Sequence, residues 1–217
     1  MINKFEADGR VWFRGLLSQQ DITALEDVCE NDDQAGSRLG VTGPVGEALK
    51  GFYTLDQAMG RILAGACPVR IVAFNKTAEG NWGVPWHQDR VIAVRQRHDI
   101  ASCKNWSKKA GVWHCEPPVS ILSEMLFVRI HLDDQGEENG AMEIALGSHK
   151  AGVQSAEEIA RSISGYKTEI CEASRGDVLV LKMLLLHRSR PSSLRTSRRA
   201  LRVDYGAGDL PLPLVWG

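Results

Sequence analysis

The sequence predicts a mainly β protein, a sandwich or barrel buttressed by N-terminal helices. Three observations carry this. Apolar residues recur at helical spacing in parts of the first 66 positions. From residue 69 onward they give way to short runs rich in β-branched and aromatic residues. Turn-forming clusters such as Glu137-Glu138-Asn139-Gly140, Leu146-Gly147-Ser148-His149 and Arg175-Gly176-Asp177 separate several of those runs. Helices first and many short strands after is the order of a packed or closed β architecture.

Taken along the chain, Ser18 ahead of Gln19-Gln20-Asp21 reads as a capping-box start, and Ile22, Leu25, Val28 and Cys29 follow at helical spacing. A second helix is expected from Thr54, with Gln57 three residues on. Leu55, Met59, Ile62 and Leu63 give its stripe and Gly65 its stop. Strands are expected at 69–74, 86–94, 126–132, 141–146, 167–171, 177–186 and 201–205. Ser155 with Glu158 marks a short helix among them. The stretch 95–118 stands apart. It is polar, carries Lys104, Lys108 and Lys109, and closes on Pro117-Pro118, which reads as a long loop without regular structure. It leaves the strand of His87 and carries Trp106 and Trp113, so it is expected to be a mobile active-site lid.

The 217 residues suit one domain over 1–217, helical to about 66 and β from about 67. Hydrophobic residues at 43% and charged residues at 24% describe a globular chain. A net charge of −1 gives no long-range attraction for nucleic acid or an anionic membrane. The start lacks the apolar core of a signal peptide, and the longest apolar run, near Met183 to Leu186, is too short to span a bilayer. The five cysteines are odd in number with no C-x-x-C pair, as expected of reduced thiols in a cytoplasmic protein. The expected partner is a small-molecule substrate, with no nucleic acid and no membrane.

The sharpest local signal is Trp86-His87-Gln88-Asp89. On a strand, His87 and Asp89 share a face and Gln88 points away. An imidazole and a carboxylate so placed can chelate a metal. A third ligand would complete a facial triad, the site of non-haem iron(II) oxygenases. H-x-D alone is a common tripeptide. His98 and His114 lie in the polar stretch, His131 sits mid-strand, and His149 follows Gly147-Ser148 in a turn. His187 ends the apolar run from Val178 to Leu186, where a buried imidazole needs a partner. Six arginines follow between Arg188 and Arg202, any of which could clamp a carboxylate. Strand alternation places Arg199 on the more apolar face, with Leu201, Val203 and Tyr205, and so favours it over Arg198.

The order of these stretches resembles the phytanoyl-CoA dioxygenase family of iron(II)/2-oxoglutarate oxygenases, in its short bacterial form. The matching residues include Pro85-Trp86-His87-Gln88-Asp89, Val128-Arg129-Ile130-His131-Leu132-Asp133-Asp134, Asn139-Gly140-Ala141-Met142-Glu143, Gly147-Ser148-His149-Lys150, Leu186-His187-Arg188-Ser189 and Arg198-Arg199-Ala200-Leu201. The resemblance implies a double-stranded β-helix, a cupin-like jelly roll, with iron(II) on His87, Asp89 and His187. The family's cosubstrate arginine falls eleven positions after the distal histidine, at Arg198, against the alternation reading. Ser189 matches a position that contacts 2-oxoglutarate. The implied reaction consumes 2-oxoglutarate and dioxygen, oxidises a small molecule, with hydroxylation the better expectation, and releases succinate and carbon dioxide. Lys76, Trp86, Arg129 and His131 are substrate-pocket candidates. Two rivals share the barrel: a cupin-like metalloenzyme that does not use 2-oxoglutarate, and a non-catalytic binding protein.

Overall fold

In the computed structural model, which describes residues 2–29, 36–77, 80–194 and 198–217, the last run is a long strand, β13 (Arg198–Ala207). Its side chains alternate. Leu201, Val203 and Tyr205 join a core beneath the helices, whereas Arg198 and Arg202 line a cavity on the other side. Around it forms a six-stranded antiparallel sheet in the order β1 (Arg10–Phe13), β11 (Val178–Lys182), β8 (Leu126–His131), β13, β3 (Ala66–Lys76), β2 (Ser37–Leu39).

The helices α1 (Ile2–Asp8), α2 (Gln19–Val28), α3 (Pro44–Lys50) and α4 (Tyr53–Ile62) cover its outer face. Phe5, Leu25, Leu49, Leu55 and Met59 pack there on Val128, Ile130, Val180, Leu201 and Val203. Each such buried side chain stabilises by about 1.5–3 kcal/mol relative to exposure. α2 starts as its sequence implies: the Asp21 amide donates to Ser18 Oγ at 3.1 Å and the Ser18 amide donates to Asp21 Oδ2 at 2.8 Å. Arg175 and Arg199 both reach Glu26, tying α2 to the sheet.

The inner face meets a four-stranded sheet, β10 (Thr168–Ile170), β9 (Met142–Ala145), β12 (His187–Ser189) and β4 (Val84–His87). Phe127, Leu179 and Leu181 from one sheet and Met142 and Ile144 from the other form a second core. Two antiparallel sheets packed this way make the expected mainly β, cupin-like jelly roll. Two further helices serve as connections: α5 (Val119–Ser123) precedes β8, and α6 (Ala156–Ser162) has the Ser155–Glu158 capping box. Among the described residues no helix is long and apolar enough to cross a membrane.

Four expectations change. The first 66 residues are not purely helical, because β1 and β2 join the large sheet at its edges. The strand expected at 86–94 is broken: β4 stops at His87 and β5 (Ile92–Val94) belongs to a different sheet. Gln88 marks the break, donating to Gly152 O and Leu184 O at 2.8 Å each and accepting from the Gln154 amide at 2.9 Å. The run 177–186 is broken as well, since β11 ends at Lys182 and a buried turn leads to His187, which opens β12 rather than ending a strand. It reads as one apolar run because Met183 to Leu186 are buried although they are not strand.

The fourth change concerns 95–118. Most of it is a hairpin, β6 (Lys104–Lys109) and β7 (Val112–Glu116), in a three-stranded sheet ordered β5-β7-β6. Ala110 (φ 48) and Gly111 (φ 79) make its tight turn, the left-handed pair that hairpins use. Trp106 and Trp113 meet edge to face at 6.5 Å and pack against the second core. The expectation of a structureless lid fails: the segment is paired strand, with its lysines exposed and its two tryptophans half-buried.

Candidate metal centre and cosubstrate pocket

β4 and β12 are paired so that His87 stands opposite His187, with ring centroids 4.3 Å apart. Each ring is oriented by the carbonyl two residues before it: Nδ1 lies 2.8 Å from Pro85 O in His87 and 2.9 Å from Leu185 O in His187. A carbonyl can only accept, so each Nδ1 carries a proton and Nε2 is the ring atom left to face a metal. Asp89, just past the end of β4, brings Oδ2 to 3.1 Å from His187 Nε2. One donor atom from each of the three lies within 4.8 Å of the other two.

The charges suit a cation. Burial and the neighbouring His187 lower the pKa of His87, keeping it a neutral donor. Burial works against the Asp89 carboxylate, but Arg202 and the two histidines outweigh it and hold its pKa well below the usual range. Arg202 donates Nη1–H to Asp89 Oδ2. It is fixed in turn by Asp204, through Nε at 2.7 Å and Nη2 at 3.1 Å, and lies 4.3 Å from the Phe127 ring centroid. Arg70 donates to the same Asp204 at 2.9 Å. Two imidazoles that each turn Nε2 toward an ionised carboxylate are the donor set of the facial triad, and they fit iron(II).

A cavity of about 480 Å³ opens over this group between the sheets. Its apolar wall includes Val72, Phe74, Trp82, Phe127 and Met142. Its charged lining is one-sided: Arg38, Arg70, Lys109, Arg129, Arg188, Arg198 and Arg202, with Asp89 as the acid. Such a cavity concentrates anions. Arg198 donates Nη1–H to Gly140 O at 2.6 Å and Gln135 Oε1 at 3.3 Å, while its Nε is buried without a partner. Burial lowers its pKa to about 10. Gly140 can serve Arg198 only as glycine: its φ is +72, and a Cβ would lie 2.5 Å from Arg190 O. Ser189 lies two residues after His187 on β12 and also lines the cavity.

Arg199 faces the other way, held by Asp133 and Glu26. The alternation reading that favoured it took the apolar face of β13 for the pocket face. That face is the helix-covered one, and the polar face lines the cavity. Of the four pocket candidates, Arg129 lines the cavity. Lys76 is buried with Nζ on Arg190 O at 2.7 Å, and Trp86 packs under Arg188 at 4.8 Å. His131 has Nδ1 3.0 Å from Asp177 O and stacks on Trp12 at 5.6 Å, and burial, with Arg129, lowers its pKa to about 3. None of these three is a lining residue. His149 sits apart from the metal group, Nε2 3.2 Å from Glu6 O. The sequence reading missed Arg202, Asp204 and Arg70. The four-residue spacing of Arg198 and Arg202 on one strand face was the available signal.

A sequence profile of the phytanoyl-CoA dioxygenase family matches residues 5–200. Among solved structures, AviO1 from Streptomyces viridochromogenes gives a TM-score of 0.65 at 21% identity, covering 97% of this chain and 95% of that one. HygX from Streptomyces hygroscopicus, with nickel and 2-oxoglutarate bound, gives 0.65 at 19% identity, covering 94% and 84%. The non-haem alpha-ketoglutarate-dependent epimerase SnoN of nogalamycin biosynthesis gives 0.67 at 12% identity, covering 96% and 81%. At these identities the structural likeness is one of fold. No curated protein matches the chain in sequence.

Proposed function

This chain belongs to the phytanoyl-CoA dioxygenase family and is a non-haem iron(II)/2-oxoglutarate-dependent oxygenase, and from that premise we propose how its residues divide the work on a small-molecule substrate. His87, Asp89 and His187 hold iron(II); Arg198 and Ser189 hold the distal carboxylate of 2-oxoglutarate. The observation that carries the reading is the convergence of two imidazoles, each with Nδ1 tied to its own backbone, and one carboxylate within 4.8 Å.

Bound there with the 2-oxo acid, iron(II) supplies the activation of dioxygen that oxidises the substrate and releases succinate and carbon dioxide. The protein does the rest. The backbone bonds at Nδ1 fix both ring orientations before metal arrives. Arg202 positions Asp89 and keeps it ionised. Arg198 offers a buried guanidinium with no carboxylate partner among the described residues, and the Ser189 hydroxyl can donate to the same anion. Phe127, Met142 and Trp82 keep water from the reacting atoms. Hydroxylation is the outcome we favour, because a carboxylate at position 89 completes the triad. A metabolite screen with iron(II), ascorbate and 2-oxoglutarate tests this. Substrate-dependent succinate formation is expected; turnover without 2-oxoglutarate would point to a different metalloenzyme.

A further inference from the structure

Arg129 leaves β8 on the cavity side, opposite Arg202 of β13. Its guanidinium is 5.7 Å from the Phe74 ring centroid. Phe74 belongs to β3, on the far side of β13. The β13 residue between them is Ala200, paired with Phe74 on one side and His131 on the other. The Arg129 side chain therefore crosses β13 above Ala200, whose methyl group is small enough to be bridged. Arg198 and Arg202 flank Ala200 on that face, so the guanidinium of Arg129 comes to rest between them.

These three arginines are not equivalent. Arg202 is committed to Asp89 and Asp204. Arg129 and Arg198 pair with no carboxylate among the described residues, and the Nε of each is buried without a partner. Burial and the mutual repulsion of the pair lower Arg129 to about 9. Two buried guanidinium groups left uncompensated are costly, and an anion placed between them relieves both. The metal group adjoins Arg202, so a ligand that reaches from the metal to Arg198 passes Arg129. A linear dicarboxylate is such a ligand.

We propose that Arg129 is a second cosubstrate-binding arginine, sharing with Arg198 the distal carboxylate of 2-oxoglutarate. The inference rests on the cosubstrate reading above. It makes the pocket selective for a 2-oxo acid with an acidic far end, because a neutral tail would leave two guanidinium groups unsatisfied rather than one.

The test is calorimetric binding of 2-oxoglutarate and of 2-oxobutyrate, which lacks the distal carboxylate, to nickel(II)-loaded wild type, Arg129→Met, Arg129→Lys and Arg198→Met. Arg129→Met is expected to weaken 2-oxoglutarate by about tenfold or more, leaving nickel and 2-oxobutyrate affinities unchanged, and Arg129→Lys should restore most of the loss. An unchanged 2-oxoglutarate affinity in Arg129→Met, with a loss in Arg198→Met, overturns the proposal while the cosubstrate reading stands; Arg129 would then serve the primary substrate. Equal losses for both oxo acids reduce Arg129 to a structural role and overturn it too. A wild type that does not prefer 2-oxoglutarate to 2-oxobutyrate removes the cosubstrate reading and this proposal together.

Discussion

Arg198 and Arg199 are consecutive in the chain, and the sheet separates them: Arg198 lines the cavity, while Arg199 binds Asp133 through Nε at 3.0 Å and Nη2 at 2.7 Å and reaches Glu26 at 2.6 Å on the helix side. Their substitutions should therefore part company. Arg198→Ala should raise the 2-oxoglutarate requirement by about tenfold or more with little change in melting temperature, since one charged contact is worth about 1.5–3 kcal/mol. Arg199→Ala should leave that requirement alone and cost roughly 1–3 kcal/mol of stability. Titrating the cosubstrate and melting both variants decides it, and the opposite assignment of effects would refute the reading of β13.

Removal of a metal ligand should be absolute where removal of a distant histidine is not. His87→Ala, Asp89→Ala and His187→Ala should each abolish stoichiometric iron and succinate formation together. His149→Ala, whose ring stands apart from the metal group with Nε2 on Glu6 O, should keep both. Metal analysis of the purified variants is sufficient. Retention of one iron per chain by His187→Ala would require another third ligand.

The β6–β7 hairpin should be protected from hydrogen exchange before any ligand is added. Its strands are paired, and Trp106 and Trp113 pack on the second core. Exchange across 104–116 in the metal-free protein should be slow and little changed by 2-oxoglutarate. Rapid exchange that slows only on ligand binding would reinstate the lid.

Asp177 provides a pH-dependent tie. Its Oδ1 accepts from the Gly15 amide at 2.7 Å, and its Oδ2 accepts from Arg14 at 2.6 Å and the Ser174 amide at 2.9 Å. Burial opposes ionisation, yet these bonds outweigh it and lower the pKa from its ordinary value. A depressed folded pKa contributes stability that is complete above the unfolded value of about 3.9 and is lost as pH falls through the folded one. Asp177→Asn should cost on the order of 2–3 kcal/mol at neutral pH, with the gap to wild type closing in more acidic solution. Urea melts across that range should converge; a constant gap would mean the cost is steric.

What the sequence disclosed depends on how local each determinant is. The α2 start was legible because Ser18 and Asp21 cap it within one turn. The jelly roll and the convergence of His87, Asp89 and His187 were reached through those residues and the family order of motifs. The break after Lys182 was hidden because Met183 to Leu186 are buried and continue the apolar composition of β11, and the break at Gln88 because His87, Asp89 and the apolar Ile92–Val94 read as one alternating strand. The hairpin was hidden because its exposed lysines outweigh two tryptophans in any window. Arg202 was hidden among six arginines, since burial is decided by which face of β13 the helices cover. That is a tertiary fact, and the reversed choice of Arg199 had the same origin.

The two-sidedness of β13 also bears on how this chain can change over generations. Among the even-numbered positions Arg198 and Arg202 line the pocket and Asp204 holds Arg202, while the odd-numbered ones from Arg199 to Tyr205 meet the helices. Substitutions on the two faces are separable, so specificity can drift without loss of fold. Insertions and deletions are not: a single extra residue before Ala200 would turn Arg202 and Asp204 toward the helices and bring Leu201 and Val203 to the cavity side. This strand is expected to accept new letters and to refuse a change of length.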